Sequence, residues 1–154
     1  MKIEFWVTGK TAFSYLDEGC KDYIKRLSRL TDFNMLILPD VKSSDTSTLL
    51  LKEAKQVLEK LKADDQLILL DERGKMMSST EWAADLEQRQ MNNQKRVVYL
   101  IGGAYGFDEL LYQRANAMMS MSKLTFSHQI IRLLFLEQLY RAFTIIKGLP
   151  YHHA

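Results

Sequence analysis

The stretch Val97-Val98-Tyr99-Leu100-Ile101-Gly102-Gly103-Ala104-Tyr105-Gly106 carries most of the information about the fold of this chain. Its first half is a strand-like apolar run, and its second half is a glycine-rich turn. Glycine has no Cβ atom, so a strand that ends in glycines lets the backbone approach a ligand closely. Open α/β folds bind their ligands where strands end, so the stretch predicts a binding crevice at the carboxyl edge of a sheet.

Four more strand patterns alternate with helix patterns along the chain. The strands are predicted at Ile3–Val7, Met35–Leu38, Gln66–Leu70 and Ala117–Met121. Gln66–Leu70 has the near-continuous apolar character of a parallel strand that is buried on both faces. Apolar stripes and helix-start signals place helices at Leu16–Leu30, Leu51–Leu61, Ser78–Leu86, Asp108–Ala115 and His128–Ile146. This alternation predicts an α/β fold with a parallel sheet flanked by helices.

The composition limits the classes of protein to consider. A chain of 154 residues and 17.9 kDa predicts a single domain over residues 1–154. The net charge of +2 and the pI of about 8.6 do not by themselves mark a nucleic-acid binder. Cys20 is the only cysteine and lies on an apolar helix stripe, which predicts a buried thiol in a reducing compartment. The start of the chain is not a signal peptide and no apolar run is long enough for a membrane span, so we expect a cytoplasmic protein.

Three polar loops follow the third, fourth and fifth predicted strands: Leu70–Lys75, Gly102–Gly106 and Met121–Phe126. Taken singly, each can be an ordinary turn. Their common position at one sheet edge favours a shared binding site. The glycines lack the spacing of a dinucleotide fingerprint, and no acidic residue is placed to bind a ribose. Both observations argue against a nucleotide-dependent oxidoreductase. Neither these loops nor the rest of the sequence has the spacing of a metal site.

The last predicted helix is apolar on nearly every side, and only Arg132, Glu137 and Arg141 interrupt this character with charge. Charges are seldom buried without a partner or a ligand, so at least one of them is expected at a site or an interface. A helix without a polar face must be covered on more than one side. The pattern therefore predicts a homodimer through this helix.

Five motifs together resemble one known family over the whole chain: the RlmH type of SPOUT methyltransferase. They are Leu-Asp-x-x-Gly-Lys-x-x-Ser-Ser at 70–79, Ile-Gly-Gly-Ala-x-Gly at 101–106, Ser-x-Leu-Thr-Phe-x-His-Gln at 122–129, Glu-Gln-Leu-Tyr-Arg-Ala at 137–142 and Pro-Tyr-His at 150–152. The resemblance implies a SPOUT-type sheet with a C-terminal trefoil knot and a homodimer. It also implies an enzyme that uses S-adenosylmethionine to methylate N3 of a pseudouridine in a loop of 23S ribosomal RNA.

The resemblance assigns roles to individual residues. It places the cofactor on eight positions: Leu70, Gly102, Met121, Ser122, Lys123, Leu124, Thr125 and Phe126. The acceptor nitrogen must lose a proton, which calls for a base or for a cation that stabilises the ring anion. Candidate catalytic residues are Arg141, His152 and Glu137. Candidate RNA-binding residues are Arg132, His128 and Tyr151, the last of which lies in a tail that we expect to be flexible. A non-catalytic ribosome-associated RNA-binding protein remains the alternative.

Overall fold

The protein, described here as a computed structural model over residues 1–153, contains a five-stranded sheet in which every strand is parallel to its neighbours. The sheet order is β2-β1-β4-β3-β5. The strands are β1 (Lys2–Thr8), β2 (Asp32–Leu38), β3 (Gln66–Met76), β4 (Arg96–Ile101) and β5 (Ala117–Ser120). The predicted parallel α/β fold is thus confirmed.

Helices cover both faces of the sheet. They are α1 (Ser14–Ser28), α2 (Thr46–Lys60), α3 (Ser79–Met91), α4 (Glu109–Arg114) and α5 (Ile130–Ile146). Side chains alternate between the faces of a strand, so Phe5 of β1 packs under α1, α3 and α5, while its neighbour Trp6 packs under α2 and α4. The predicted start of α3 is confirmed, because Ser78 and Glu81 form a reciprocal capping box.

Strand β3 is longer than its sequence pattern predicts. Residues 70–75 are expected as a loop, but β3 bulges there and then pairs with β5 again through Lys75 and Met76. Gly74 makes the second pairing possible: a Cβ atom at this position would lie 2.5 Å from the backbone nitrogen of Met119. The bulge pushes the polar residues 71–73 out of the sheet, toward its carboxyl edge.

Helix α5 is covered by its own chain to a greater extent than its composition suggests. It lies on the sheet between α1 and α3, and it buries Phe135, Leu136, Leu139, Ala142 and Phe143. Two helices and the sheet thus already cover much of α5, so its apolar character does not by itself call for a second subunit. The homodimer remains a prediction that rests on the resemblance alone.

Three further predictions concern the chain as a whole. Cys20 is confirmed as buried, with 2% of its surface exposed, and burial raises the pKa of its thiol to about 11. No helix within residues 1–153 has the length and apolar character needed to span a membrane. The trefoil knot stays a prediction, because strand order and pairing do not by themselves establish how the chain threads.

Candidate active site

A cavity of about 690 Å³ opens at the carboxyl edge of the sheet, between the ends of β3, β4 and β5 and the start of α5. The three loops that the sequence places at one edge meet in its walls, as predicted. Of the eight residues assigned to the cofactor, seven line the cavity: Leu70, Gly102, Met121, Ser122, Leu124, Thr125 and Phe126. Lys123 is exposed and does not contribute to the lining.

The wall formed by the loop between β5 and α5 is apolar and open to solvent. Leu124 is 73% exposed and Phe126 is 38% exposed, and both face the cavity together with Ile131. Apolar side chains grouped in a concave site are typical of walls that cover a flat, partly apolar ligand. The amide groups of Thr125 and Phe126 make no hydrogen bond within residues 1–153, which leaves two donors for such a ligand.

The glycine loop after β4 owes its glycines to its own packing. A Cβ atom on Gly102 would lie 3.0 Å from the carbonyl oxygen of Gly106 and 3.1 Å from the Phe107 ring. Gly106 has a φ of +80°, a conformation that L-residues with side chains rarely adopt. The expectation that Gly102 simply leaves room for a ligand is thus refined: glycine here shapes the cavity wall.

Asp71, Arg73 and Tyr112 form a polar corner of the cavity that the sequence analysis did not assign. The Tyr112 hydroxyl donates to Asp71 Oδ2 at 2.5 Å, and the Arg73 guanidinium lies 4.7 Å from the centre of the Tyr112 ring. Burial disfavours the charged form of Asp71, but hydrogen bonds from Tyr112 and Arg73 outweigh it and lower the pKa of this carboxyl group. The sequence does show that Asp71 comes directly after an apolar strand, and this position could have marked it as a site residue. Its hydrogen bond to Tyr112, 41 residues later, could not be predicted from the sequence.

Four predicted residues lie together along the later part of α5 and the segment after it: Glu137, Arg141, Tyr151 and His152. Together with Tyr23 of α1, which was not predicted, we call them the tail cluster. Glu137 Oε1 accepts hydrogen bonds from Arg141 Nη2 at 2.6 Å and from the Tyr151 hydroxyl at 3.1 Å. The Tyr151 hydroxyl also lies 3.2 Å from that of Tyr23. The structure therefore brings the three predicted catalytic residues and one predicted RNA-binding residue into a single network.

The C-terminal residues are not the flexible end that the sequence analysis assumes. Tyr151 packs edge-on against Tyr140 at 4.8 Å, and burial together with its bonds to Tyr23 and Glu137 raises the pKa of its phenol. Arg141 Nη1 lies 3.2 Å from His152 Nδ1. A guanidinium can only donate, so Nδ1 is the acceptor in this contact.

Arg132 and His128, the two other predicted RNA-binding residues, have different environments. His128 is exposed and lines the cavity. Arg132 is only 1% exposed, and it donates to the carbonyl oxygens of Thr8, Gly9 and His128. Burial lowers the pKa of its guanidinium. Arg132 thus has little capacity left for RNA in this conformation and instead joins the start of α5 to the end of β1.

The cavity contacts the first turn of α5, whereas the tail cluster begins at Glu137 in the middle of the helix and extends toward its end. Arg141 follows Ile131 by ten residues, which at about 1.5 Å per residue is about 15 Å along the helix axis. Within one chain, the proposed cofactor pocket and the predicted catalytic groups are therefore apart. No group of three or more potential metal ligands occurs within residues 1–153.

Comparison with known proteins places the chain among methyltransferases. A family model described as a predicted SPOUT methyltransferase matches residues 1–152. The ribosomal RNA large subunit methyltransferase H of Cytophaga hutchinsonii is 46% identical over 155 residues, spanning 99% of this chain and 100% of that protein. The protein of the same description from Bacteroides thetaiotaomicron is 46% identical over 157 residues, spanning 99% of each. The solved SpoU methyltransferase AviRb from Streptomyces viridochromogenes, at 10% identity and a TM-score of 0.46 over 96% of this chain and 61% of that one, is too distant to support an argument.

Proposed function

This chain belongs to the SPOUT methyltransferase family, and on that premise we propose that it methylates ribosomal RNA of the large subunit with S-adenosylmethionine as the methyl donor. The observation that carries the proposal is the cavity at the carboxyl edge, where the three loops of the family motifs meet. The full-length relatives support the choice of large-subunit RNA as the substrate, since they are described by that activity.

The residues of the cavity fit the donor chemically. An adenine ring needs apolar cover on its faces and hydrogen-bond partners at its edge. Leu124, Phe126 and Ile131 can supply the cover, while the free amides of Thr125 and Phe126 can meet the edge. We assign the eight cofactor positions of the family to this role, with Lys123 contributing at most its backbone.

The finer proposal is that the acceptor is N3 of a pseudouridine. When bound, S-adenosylmethionine supplies a methyl group on a sulfonium. Transfer of this methyl group to N3 would leave the sulfur as a thioether, and it would require a residue that takes the N3 proton from the ring. We propose that Arg141 stabilises the ring anion; in support, Glu137 holds its guanidinium in the tail cluster, close to His152 and Tyr151. His152 Nδ1 or Glu137 is proposed to take the proton.

The acceptor must come within about 3–3.5 Å of the transferred methyl group. In one chain the cavity contacts the first turn of α5 and Arg141 lies about 15 Å further along the helix, so we propose that the active site is composite. In a homodimer, the tail cluster of one protomer would face the cavity of its partner. This arrangement would unite donor and catalytic groups without a large movement of the tail.

The direct test uses ribosomes from cells that lack the gene. The purified protein should bind S-adenosylmethionine by titration calorimetry, and it should convert one pseudouridine of the 23S RNA into its 3-methyl form by nucleoside mass spectrometry. Arg141→Ala should abolish methylation while cofactor binding persists. Binding to ribosomes without methyl transfer by the unmodified protein would instead support the non-catalytic alternative.

A mixed dimer tests the composite site. One subunit carries Arg141→Ala and the other carries Gly102→Val, so that both defects fall in the same crevice only if the site is shared between subunits. A composite site then predicts about half of the unmodified activity, from the one intact crevice. If the site lies within one chain, each subunit has one defect and no activity survives.

A further inference from the structure

Two aromatic side chains stand exposed at the start of α1, in a part of the chain to which no role has been assigned so far. Phe13 is 50% exposed and Tyr15 is 66% exposed. Their ring centres are 5.6 Å apart with an interplanar angle of 28°, so the rings form a stacked pair. Large apolar rings gain nothing from exposure to water, and an exposed pair is a candidate contact surface.

The strand order places this pair at the carboxyl edge of the sheet, where the cavity also opens. β1 is the direct neighbour of β4, whose glycine loop lines the cavity, and both strands run in the same direction. The connection from Gly9 to Phe13 therefore leaves the sheet at the same edge as Gly102–Gly106. Phe13 and Tyr15 stand at the end of that connection.

The start of α5 holds this connection in place. Gln129 Oε1 accepts from the amide of Ala12 at 2.7 Å, and Gln129 Nε2 donates to the carbonyl oxygen of Lys10 at 3.3 Å. Arg132 adds bonds to the carbonyl oxygen of Gly9 and the hydroxyl of Thr11. His128, which lines the cavity, is the residue before Gln129. The aromatic pair is thus fixed relative to the cavity by Gln129 and Arg132, the immediate neighbours of the cavity-lining residues His128 and Ile131.

The composition of the segment Lys10–Tyr15 matches one kind of ligand. Bases of single-stranded RNA stack on aromatic side chains, and nearby cations contact the phosphates. The segment offers the stacked rings of Phe13 and Tyr15 and the exposed amine of Lys10. Phe13 is also the N-cap of α1 and provides no side-chain cap bond, so the aromatic residue here does not serve the helix.

We propose that Lys10, Phe13 and Tyr15 form an RNA-docking edge that binds a single-stranded part of the substrate next to the methylated nucleotide. This inference rests on the proposed function and names a contact for its substrate. Gln129 is a positioning residue in this scheme: it touches no RNA but holds the segment at the edge of the sheet where the cavity opens.

The test measures binding of the full-length protein to purified large ribosomal subunits from cells that lack the gene. The double variant Phe13→Ala/Tyr15→Ala should raise the dissociation constant for subunits about tenfold or more. Its affinity for S-adenosylmethionine and its turnover at saturating subunit concentration should stay unchanged. Lys10→Ala should reduce the slope of log affinity against log salt by about 1. Met91→Ala, which removes another exposed apolar side chain from a distant helix end, is the matched control and should change none of these values.

Gln129→Ala should weaken subunit binding with turnover at saturating subunit concentration unchanged, and it should lower the melting temperature by only a few degrees, as for the loss of two partly exposed hydrogen bonds. It should add little in the background that already lacks both rings, because its effect acts through them. Unchanged subunit affinity in the double aromatic variant would overturn the proposal. Light scattering that shows a change of oligomeric state in that variant would overturn it too, since the pair would then be a subunit contact. Failure of the proposed function appears separately, as a lack of cofactor binding or methylation by the unmodified protein.

Discussion

The two edges of the sheet use polar groups in opposite ways. At the amino edge, Arg96 donates to Asp65 at 2.9 Å and to Glu4 at 3.3 Å, and Trp6 donates to Glu4 at 2.6 Å. Glu4 and Asp65 are buried, and each is fully occupied by partners within the chain. At the carboxyl edge, the cavity wall leaves Leu124 open to solvent and leaves backbone donors unused.

This difference suggests that the amino edge contributes mainly to stability and the carboxyl edge mainly to ligand binding. Breaking a buried ion pair is costly because the remaining charge is left without compensation, so the amino edge resists change. The carboxyl edge holds its loops in shape with glycines and short local bonds while keeping its surface free for ligands. We therefore expect substitutions at the first edge to act on unfolding and those at the second to act on binding.

The largest expected effect is that of Asp65→Ala at the amino edge. It removes the main acceptor of Arg96 and should lower the free energy of unfolding by about 3–5 kcal/mol. Affinity for S-adenosylmethionine should be unchanged under conditions where the variant is folded. Urea unfolding and titration calorimetry provide the two measurements.

Asp64→Ala is the matched control for that change. Asp64 is the neighbouring residue, and its ion pair with Lys95 is exposed. Exposed pairs contribute about 0–1 kcal/mol, so the control should be nearly neutral. Equal losses in the two variants would contradict the distinction between a stabilising network and an ordinary surface pair.

Gly102→Val at the carboxyl edge should affect cofactor affinity, which Asp65→Ala is expected to leave unchanged. The new side chain would press on the Gly106 carbonyl and the Phe107 ring, which forces the loop to shift. We expect at least a tenfold loss of cofactor affinity, with a stability loss of about 1–3 kcal/mol. Calorimetry should show a smaller loss for Gly103→Ala, where an added methyl group meets nothing nearer than 3.9 Å. Unchanged affinity in Gly102→Val would remove this loop from the site.

Tyr112→Phe makes a finer change at the same edge. It deletes the hydroxyl that donates to Asp71 and leaves the ring in place. The free energy of unfolding should fall by about 1–2 kcal/mol, as for the loss of a hydrogen bond to a charged group, and cofactor affinity should fall a few-fold. An affinity loss as large as that of Gly102→Val would mean that Asp71 contacts the ligand directly.

The smallest expected effect is a change in how the free energy of unfolding depends on pH under acidic conditions. Burial opposes ionisation of Asp65, but the bonds from Arg96 and Lys62 outweigh it and lower its pKa in the folded state. Such a carboxyl group stabilises the fold above its unfolded pKa of about 3.9, and this contribution is lost as pH falls through the folded pKa. In Asp65→Asn the slope of the free energy of unfolding against pH, below about pH 4, should decrease by at most about 1.4 kcal/mol per pH unit. The reason is that asparagine cannot bind the proton that Asp65 takes up when the protein unfolds. Denaturant titrations between pH 5 and pH 2 measure it, and an unchanged slope would place the acid sensitivity elsewhere.

The sequence predictions succeeded where the interactions are local in the chain and failed where they join residues that are far apart in sequence. The strands and helices were predictable because their apolar periodicity is local, and the convergence of three loops follows from the parallel order of their strands. The extension of β3 past Gly74 was not predictable, since it depends on pairing with β5, more than 40 residues later. The assumption of a loose tail failed for the same reason: Tyr151 is held by Tyr23, at the other end of the chain.

The sequence by itself determined the fold class, the position of the cavity and the family, because these depend on local pattern and on motif order along the chain. Tertiary structure alone decided which charged residues are available to a ligand. Arg132 and Arg141 look alike in the sequence of α5, yet Arg132 gives its donors to the end of β1 while Arg141 stays partly exposed in the tail cluster. The physical reason is that burial and hydrogen-bond partners come from segments distant in sequence, and these set the free energy of each charge.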